Sequence, residues 1–560
     1  MQPSLALGTL GTALALLLAP SLLPGALAAD VEQAGLEDPG NWPQYHRTYN
    51  AWRYSPLDRI TTRNVSKLKV AWIHQPGDIT HGVQATPIVI DGILYYVSAY
   101  NNVWAVDAAT GQTLWRYAPK LDPLSNDVFY AAASRGVTVG RGKVYLGTLD
   151  GRFIALDRKT GKELWSTQLT DLKKQYGALF SSPPQLAGDV LYGGTTGGDQ
   201  PQRGKIYAVN ADTGARMWTF DTIKDDPKSW PGDSGDVGGG GAWLPGTYDP
   251  VADTIYIGTS NAAPDFNGEA RRGDNKYTAT LLALDPKTGN IRWHRQEIPH
   301  DVWDYDSAYE ALLVKRDGKE MIVHLNKSGF VFVMDKRDGA LHNVWPLVEN
   351  INSVKTIDPK TGEMVARNEP VVGERKLLCP WLLGARSWNH GAYMPRTGLW
   401  YTNTMEACNE VVSGKDSPDS LKALNALSLG ITDLKTVPPP SGKALGRLVA
   451  VDPVSGKIRW KVDYPIPALS SVLATGGGLV FNGDVEGNIY AYDARDGKVL
   501  WKFGTGSGIR GGPVSYMAGG KQYIVVPTGL GSHAPGFMAS AFPRIKDLPG
   551  GGALVAFTLD

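Results

Sequence analysis

One phrase recurs seven times along this chain, and it restricts the fold more than any other feature. It reads Val106-Asp107-Ala108-Ala109-Thr110-Gly111 followed by Trp115, then Leu156-Asp157 to Trp165, Val209-Asn210 to Trp218 and Leu284-Asp285 to Trp293. It returns at Met334-Asp335 to Trp345, Val451-Asp452 to Trp460 and Tyr492-Asp493 to Trp501. Each copy describes a strand ending in Asp or Asn, a tight turn with Gly where φ is positive, and a second strand carrying Trp: a β-hairpin. Successive Asp/Asn positions advance by 50, 53, 75, 50, 117 and 41 residues, so a unit of about 40 to 50 residues carries two long insertions. A lone four-stranded sheet cannot bury both faces, whereas a ring of radially packed sheets can, with each Trp wedged between neighbours. The chain ends in a strand, Leu554 to Asp560, that stops at the Asp of the phrase, and Leu68-Lys69-Val70-Ala71-Trp72 is a Trp-bearing strand with no hairpin before it. The two ends complete one shared unit. The expected fold is all-β, an eight-bladed β-propeller in one domain over residues 30–560.

Composition fits many short strands joined by turns: 66 Gly, 37 Pro and 17 Trp in 560 residues, without long helical periodicities. A net charge of +1, from 56 basic and 55 acidic residues, gives no electrostatic case for nucleic acid or an anionic membrane. Leu5 to Ala29 is apolar with Pro20 and Pro24, and Ala26-Leu27-Ala28 reads as a small-x-small cleavage site, so residues 1–29 are expected to be an export signal. No Lys or Arg lies near Met1, and an uncleaved anchor is the alternative reading of the same stretch. Cleavage would leave an exported protein without a transmembrane anchor, which together with the family resemblance below is expected to be periplasmic. The only cysteines, Cys379 and Cys408, lie 29 residues apart, which excludes CxxC metal sites and CxxCH haem attachment. In an oxidising compartment they read as a disulfide, or else as two buried thiols.

His300-Asp301-Val302-Trp303-Asp304-Tyr305-Asp306 puts three carboxylates into seven residues. On an extended segment Asp304 and Asp306 would point to one side, with Trp303 and Tyr305 on the other. Two carboxylates aimed at one spot repel unless a cation lies between them; otherwise the motif is a solvated acidic turn.

From Asn41-Trp42-Pro43 to its end the chain resembles the pyrroloquinoline-quinone (PQQ) dependent alcohol dehydrogenases, eight-bladed quinoproteins with the cofactor on the propeller axis. The resemblance rests on Arg53-Tyr54-Ser55-Pro56-Leu57, the Trp phrase, Gly147-Thr148-Leu149-Asp150-Gly151, Gly258-Thr259-Ser260-Asn261, Gly273-Asp274-Asn275 and Trp303-Asp304-Tyr305-Asp306. It implies a catalytic base at Asp304 and metal ligands at Asp199, Asn261 and Asp304. It implies cofactor contacts from Gln84, Arg135, Thr148, Lys327, Ser387 and Asn488, from Thr196, Gly197 and Gly198 in the loop before Asp199, and from Trp243 stacked under the quinone ring. Such roles suit the chemistry, since a flat anionic quinone takes an aromatic platform, cationic donors and a hard cation. Trp243 alone could be one more docking Trp, but it lacks the Asp-x-x-Thr-Gly lead-in and follows Gly238 to Gly241. Read singly, Asn261 would be a turn residue, Lys327 a solvated strand end and Arg135 a surface charge.

The chain departs from the family pattern. Asp199 stands where Glu is usual, Gln84 where an acid is usual, Gly241 for Thr and Ser387 for Asn, and Phe129 to Ser134 replaces the adjacent Cys pair over the quinone face. Cys379 and Cys408 match the family's second disulfide. An Asp two residues after the catalytic one resembles lanthanide-using members, making Asp306 a metal ligand and a lanthanide favoured over Ca²⁺. The implied reaction oxidises a small-molecule alcohol to an aldehyde or ketone, with Asp304 taking the hydroxyl proton, hydride passing to the quinone and the metal as Lewis acid. With no haem motif, electrons would leave to a soluble cytochrome c; a homodimer is left open. A quinoprotein acting on aldehydes, sugars or large secondary alcohols is an alternative. So is a non-enzymatic envelope-assembly propeller, which shares the blades and lacks the site.

Overall fold

The structure, a computed structural model, describes residue 1 and residues 38–78, 80–128, 132, 134–175, 177–416, 425–531 and 534–560. The expected export segment and most of Phe129 to Ser134 lie outside these residues. Among the described residues no helix is long and apolar enough to cross a membrane.

Among the described residues, eight sheets have the four-strand antiparallel core of a blade: residues 88–117, 138–168, 185–221, 247–296, 312–346, 392–464, 473–504, and 514–558 joined by 69–74. We number them blades 1 to 8. The expected closure holds: Lys69–His74 pairs antiparallel with Ala553–Thr558, so the two ends share blade 8. Blade 7 gains a short parallel fifth strand, Tyr54–Ser55, and Arg53 beside it is fully buried, donating to the carbonyls of Tyr45, Val472 and Pro513. Arg53 thereby ties the N-terminal segment to two blade crossings.

The repeated phrase has a single physical logic. Its Asp or Asn closes the turn with its own side chain; Asp107 Oδ1, for example, accepts from the amides of Ala109 and Thr110 and the Thr110 hydroxyl. The following Trp docks on the next blade. Trp72 Nε1 donates to the Ala108 carbonyl, Trp115 to Arg158, Trp165 to Ala211, Trp218 to Pro286, Trp293 to Lys336, Trp345 to Pro453 and Trp460 to Ala494. Trp501 instead meets Phe557 of blade 8 edge to face, at 5.1 Å. Each docked indole lies against the glycine of the next turn, so the glycine is needed both for φ and for space. The same Asp-x-x-Thr-Gly turn at Asp358–Gly362 joins a two-stranded insertion and carries no Trp, which shows that the turn alone does not make a blade. At Gly339, φ is +71° and an added Cβ would lie 2.6 Å from the Trp293 ring. Gly339→Ala is therefore expected to cost about 2–4 kcal/mol, read from chemical denaturation.

Outer strands are half-exposed and inner ones buried: Glu163–Gln168 alternates exposed and half-buried positions while Phe330–Asp335 is buried throughout. Between blades the chain thus crosses from the rim to the interior. Cys379 and Cys408 are disulfide-bonded, as expected, across the insertion that precedes and interrupts blade 6. Closing a loop of 29 residues is worth about 3–4 kcal/mol on the chain-entropy estimate. Cys408→Ser is expected to lose about that much, measured under non-reducing conditions.

Candidate active site

Two kinds of connection meet at the site. Crossings between blades supply Gln84, Arg135, Trp243, Asp304, Asp306, Trp388 and Arg510, whereas hairpins between second and third strands supply Asp199, Asn261, Asp265 and Lys327. The glycines of 238–241 let these backbones nest. A Cβ on Gly198 would lie 1.9 Å from Asn261 Oδ1, and one on Gly239, where φ is +75°, 2.4 Å from the Gly198 carbonyl. Asp199 is thereby held beside Asn261.

The HDVWDYD segment is not extended, correcting the strand-like expectation. Asp304 has φ +63°, and the Trp303 and Tyr305 rings stack at 5.8 Å. The loop is folded by Asp301, whose carboxylate accepts the amides of Trp303 (3.3 Å) and Tyr305 (3.0 Å). Asp304 and Asp306 still converge, and the cation between them is Lys327: its Nζ lies 2.7 Å from Asp304 Oδ1 and 3.7 Å from Asp306 Oδ2. Asp306 Oδ1 also accepts the Asn261 amide at 2.8 Å. Asn326 Nδ2 pins the crossing through the carbonyls of Tyr305 and Asp306.

Asp199 and Asp304 converge as expected, and Asp265, which the sequence reading did not single out, joins them. Asp199, Asp265 and Asp304 each offer a carboxylate oxygen, all within 4.8 Å of one another, while Asp306 is not in this group. Burial, then Asp199 and Asp304, pushes the Asp265 carboxyl well above its ordinary range. Burial does the same to Asp304 against the pull of Lys327, with Asp199 and Asp306 adding to it, and raises Asp306 to about 6. Burial opposes the Lys327 charge, but Asp304, Asp306 and Asp199 together hold its pKa well above the usual lysine value. Asn261 Oδ1 and Asp265 Oδ2 are buried acceptors without a hydrogen-bond partner. Oxygen-rich, over-negative and unsatisfied, this donor set fits a hard cation.

Next to it lies a cationic aromatic cradle. The Arg135 guanidinium is 4.8 Å from the ring centres of both Trp243 and Trp388, and Arg510 lies 5.7 Å from Trp388. Arg510, which sequence reading missed, is 3% exposed, with Nε and Nη1 lacking partners; burial, then Arg135, lowers its pKa to about 9. Trp388 Nε1 and Gln84 Oε1 are likewise buried and unmatched. A buried guanidinium without an acid is costly, so the cradle fits an anionic planar ligand such as PQQ. Other expected contacts serve their own loops. The Thr148 hydroxyl donates to Asp150 and that of Thr196 to the Gly177 carbonyl; the Asn488 amide donates to Asp484, and Ser387 is half-buried beside Trp388. Gly197 has φ +102°.

A family profile described as the glucose/ethanol/alcohol dehydrogenase β-propeller domain matches residues 42–371, and one described as outer membrane protein assembly factor BamB matches residues 441–532. The second stretch contains none of the acid group. Quinoprotein alcohol dehydrogenase PedH of Pseudomonas putida is 35% identical over 98% of this chain and 96% of its own length. Among solved structures, quinohemoprotein alcohol dehydrogenase ADHIIG from Pseudomonas putida HK5 superposes with a TM-score of 0.87 at 32% identity, covering 94% of this chain and 81% of that one. A europium-containing methanol dehydrogenase gives 0.86 at 30% identity over 95% of this chain and all of its own. Fold and site define a quinoprotein oxidoreductase. The chain belongs to the PQQ-dependent alcohol dehydrogenase family, and the scaffold alternative is set aside.

Proposed function

We propose that this protein oxidises an alcohol to an aldehyde or ketone in the periplasm, using PQQ and one metal ion and passing electrons to a separate cytochrome c. The observation that carries the reading is Asp304, a buried carboxylate paired with Lys327 at 2.7 Å beside the acid group. When bound, PQQ supplies the two-electron acceptor and the metal supplies positive charge beside it. Asp304 takes the hydroxyl proton, and Lys327 stabilises its charged form. Arg135 and Arg510 bind and orient the acidic edges of the ligand, Trp243 provides its platform, and Asp199, Asn261 and Asp304 hold the cation with Asp306 alongside. A lanthanide is preferred to Ca²⁺, in keeping with the europium-containing relative.

The test loads purified protein with PQQ and either La³⁺ or Ca²⁺ and follows alcohol-dependent reduction of an artificial acceptor across primary and secondary alcohols. Turnover is expected with at least one class; activity on aldehydes or sugars alone would overturn the substrate assignment. Trp243→Ala is expected to weaken PQQ retention about tenfold, roughly 1.4 kcal/mol of lost stacking, measured by equilibrium dialysis.

A further inference from the structure

Asp265 was not singled out in the sequence, yet its setting is demanding. The residue is fully buried; its Oδ1 accepts from Asn261 Nδ2 at 2.8 Å and its Oδ2 has no partner. Lys327, the cation of this cluster, donates to Asp304 instead. The main chain holds Asp265 where it is. Its amide donates to the Ser428 carbonyl at 3.1 Å, while the Ser428 amide donates to the Asp199 carbonyl at 2.7 Å, so one residue of the 425–430 segment sets the spacing of two acids. Asp416 fixes that segment in turn, accepting from Ser428 Oγ at 2.9 Å and the Gly430 amide at 3.0 Å, and Arg271 Nη2 donates to the Asp265 carbonyl at 3.1 Å. These five hydrogen bonds hold a buried carboxylate, one oxygen of which is unmatched, next to two others. Such an arrangement of charges is costly by itself and is relieved either by a proton or by a cation between the oxygens, and the cation is what lets all three stay ionised. The unmatched Asn261 Oδ1, also fully buried, is a second and uncharged donor at the same place.

We propose that Asp265 is a direct ligand of the metal, alongside Asp199, Asn261 and Asp304, and that its added charge selects for a highly charged hard cation. The proposal rests on the reading that this site holds a metal. It makes Ser428, held by Asp416, a positioning residue, since Ser428 sets the distance between two ligands.

Binding is measured without turnover, by titrating metal-free protein with Tb³⁺ and reading luminescence sensitised by nearby tryptophan, and by the unfolding midpoint with and without metal. Asp265→Asn keeps the size and the acceptor for Asn261 and removes the charge. It is expected to weaken Tb³⁺ binding at the one-equivalent site at least about tenfold and shrink the metal-induced rise in midpoint, while the metal-free midpoint stays level or rises. Unchanged affinity in Asp265→Asn with tight binding in the wild type overturns the ligand role and leaves the metal site standing. A wild type that binds neither Tb³⁺ nor Ca²⁺ overturns the metal reading and this proposal with it. A metal-free midpoint that falls in Asp265→Asn and in Asp265→Ser alike, or failure of both variants to fold, makes the residue structural and overturns the proposal.

Discussion

Asp304→Asn is expected to lower kcat by about three orders of magnitude while PQQ stays bound, because the amide keeps the shape of the side chain and loses the proton acceptor. The contrast with Trp243→Ala, where retention falls first, separates chemistry from binding. Lys327 donates to Asp304 at 2.7 Å and a neutral Asn oxygen still accepts that bond, so the loop geometry is preserved and the loss is assigned to the base. Bound PQQ is followed by its absorbance after gel filtration, and kcat under saturating metal and cofactor. Near wild-type kcat in Asp304→Asn would move the base elsewhere. Loss of PQQ together with kcat would make Asp304 a binding residue.

The propeller was legible because its chemistry is local. Trp docking needs an Asx-type turn, a glycine at positive φ and an indole at fixed offsets, and all three are written within one hairpin. The closing blade was legible for the same reason: two half-phrases at opposite ends can only complete each other. The acid site was legible in part. Asp304 and Asp306 announce themselves as a pair, but the left-handed backbone at Asp304 turns them onto Lys327 rather than along a strand. Asp265 was not legible. Asn261-Ala262-Ala263-Pro264-Asp265 reads as an ordinary polar turn, and its approach to Asp199 is made by Ser428, more than 160 residues away. Arg510, inside Gly508-Ile509-Arg510-Gly511-Gly512, likewise reads as an exposed loop cation until the crossing before blade 8 buries it against Trp388. Such contacts are set by the ring, not by neighbours in sequence.

With La³⁺ the loaded enzyme is expected to turn over faster than with Ca²⁺, and Asp306→Ala is expected to reduce the La³⁺ to Ca²⁺ activity ratio at least about tenfold. The reason is charge balance in a buried space. Asp199, Asp265, Asp304 and Asp306 face one ammonium, Lys327, leaving three negative charges when all are ionised. A trivalent ion cancels these, whereas Ca²⁺ leaves one carboxylate uncompensated in a largely buried cluster, a costly state resolved by taking up a proton. Burial raises the Asp306 carboxyl to about 6, so its charge, like those of Asp265 and Asp304, is costly to keep without a cation nearby. Its Oδ1 accepts the Asn261 amide at 2.8 Å, which keeps it next to the ligand loop and makes its charge felt there even where it does not itself ligate. Asp306→Ala removes one negative charge and leaves two, the count that suits Ca²⁺. Activity with each metal, measured at saturating PQQ on metal-stripped protein, decides the matter. Higher activity with Ca²⁺ in the wild type would show that four carboxylates do not set the preference. An Asp306→Ala variant with an unchanged ratio would limit Asp306 to holding Lys327 and the Asn261 loop in place, and leave Asp265 as the carboxylate whose charge the metal reads.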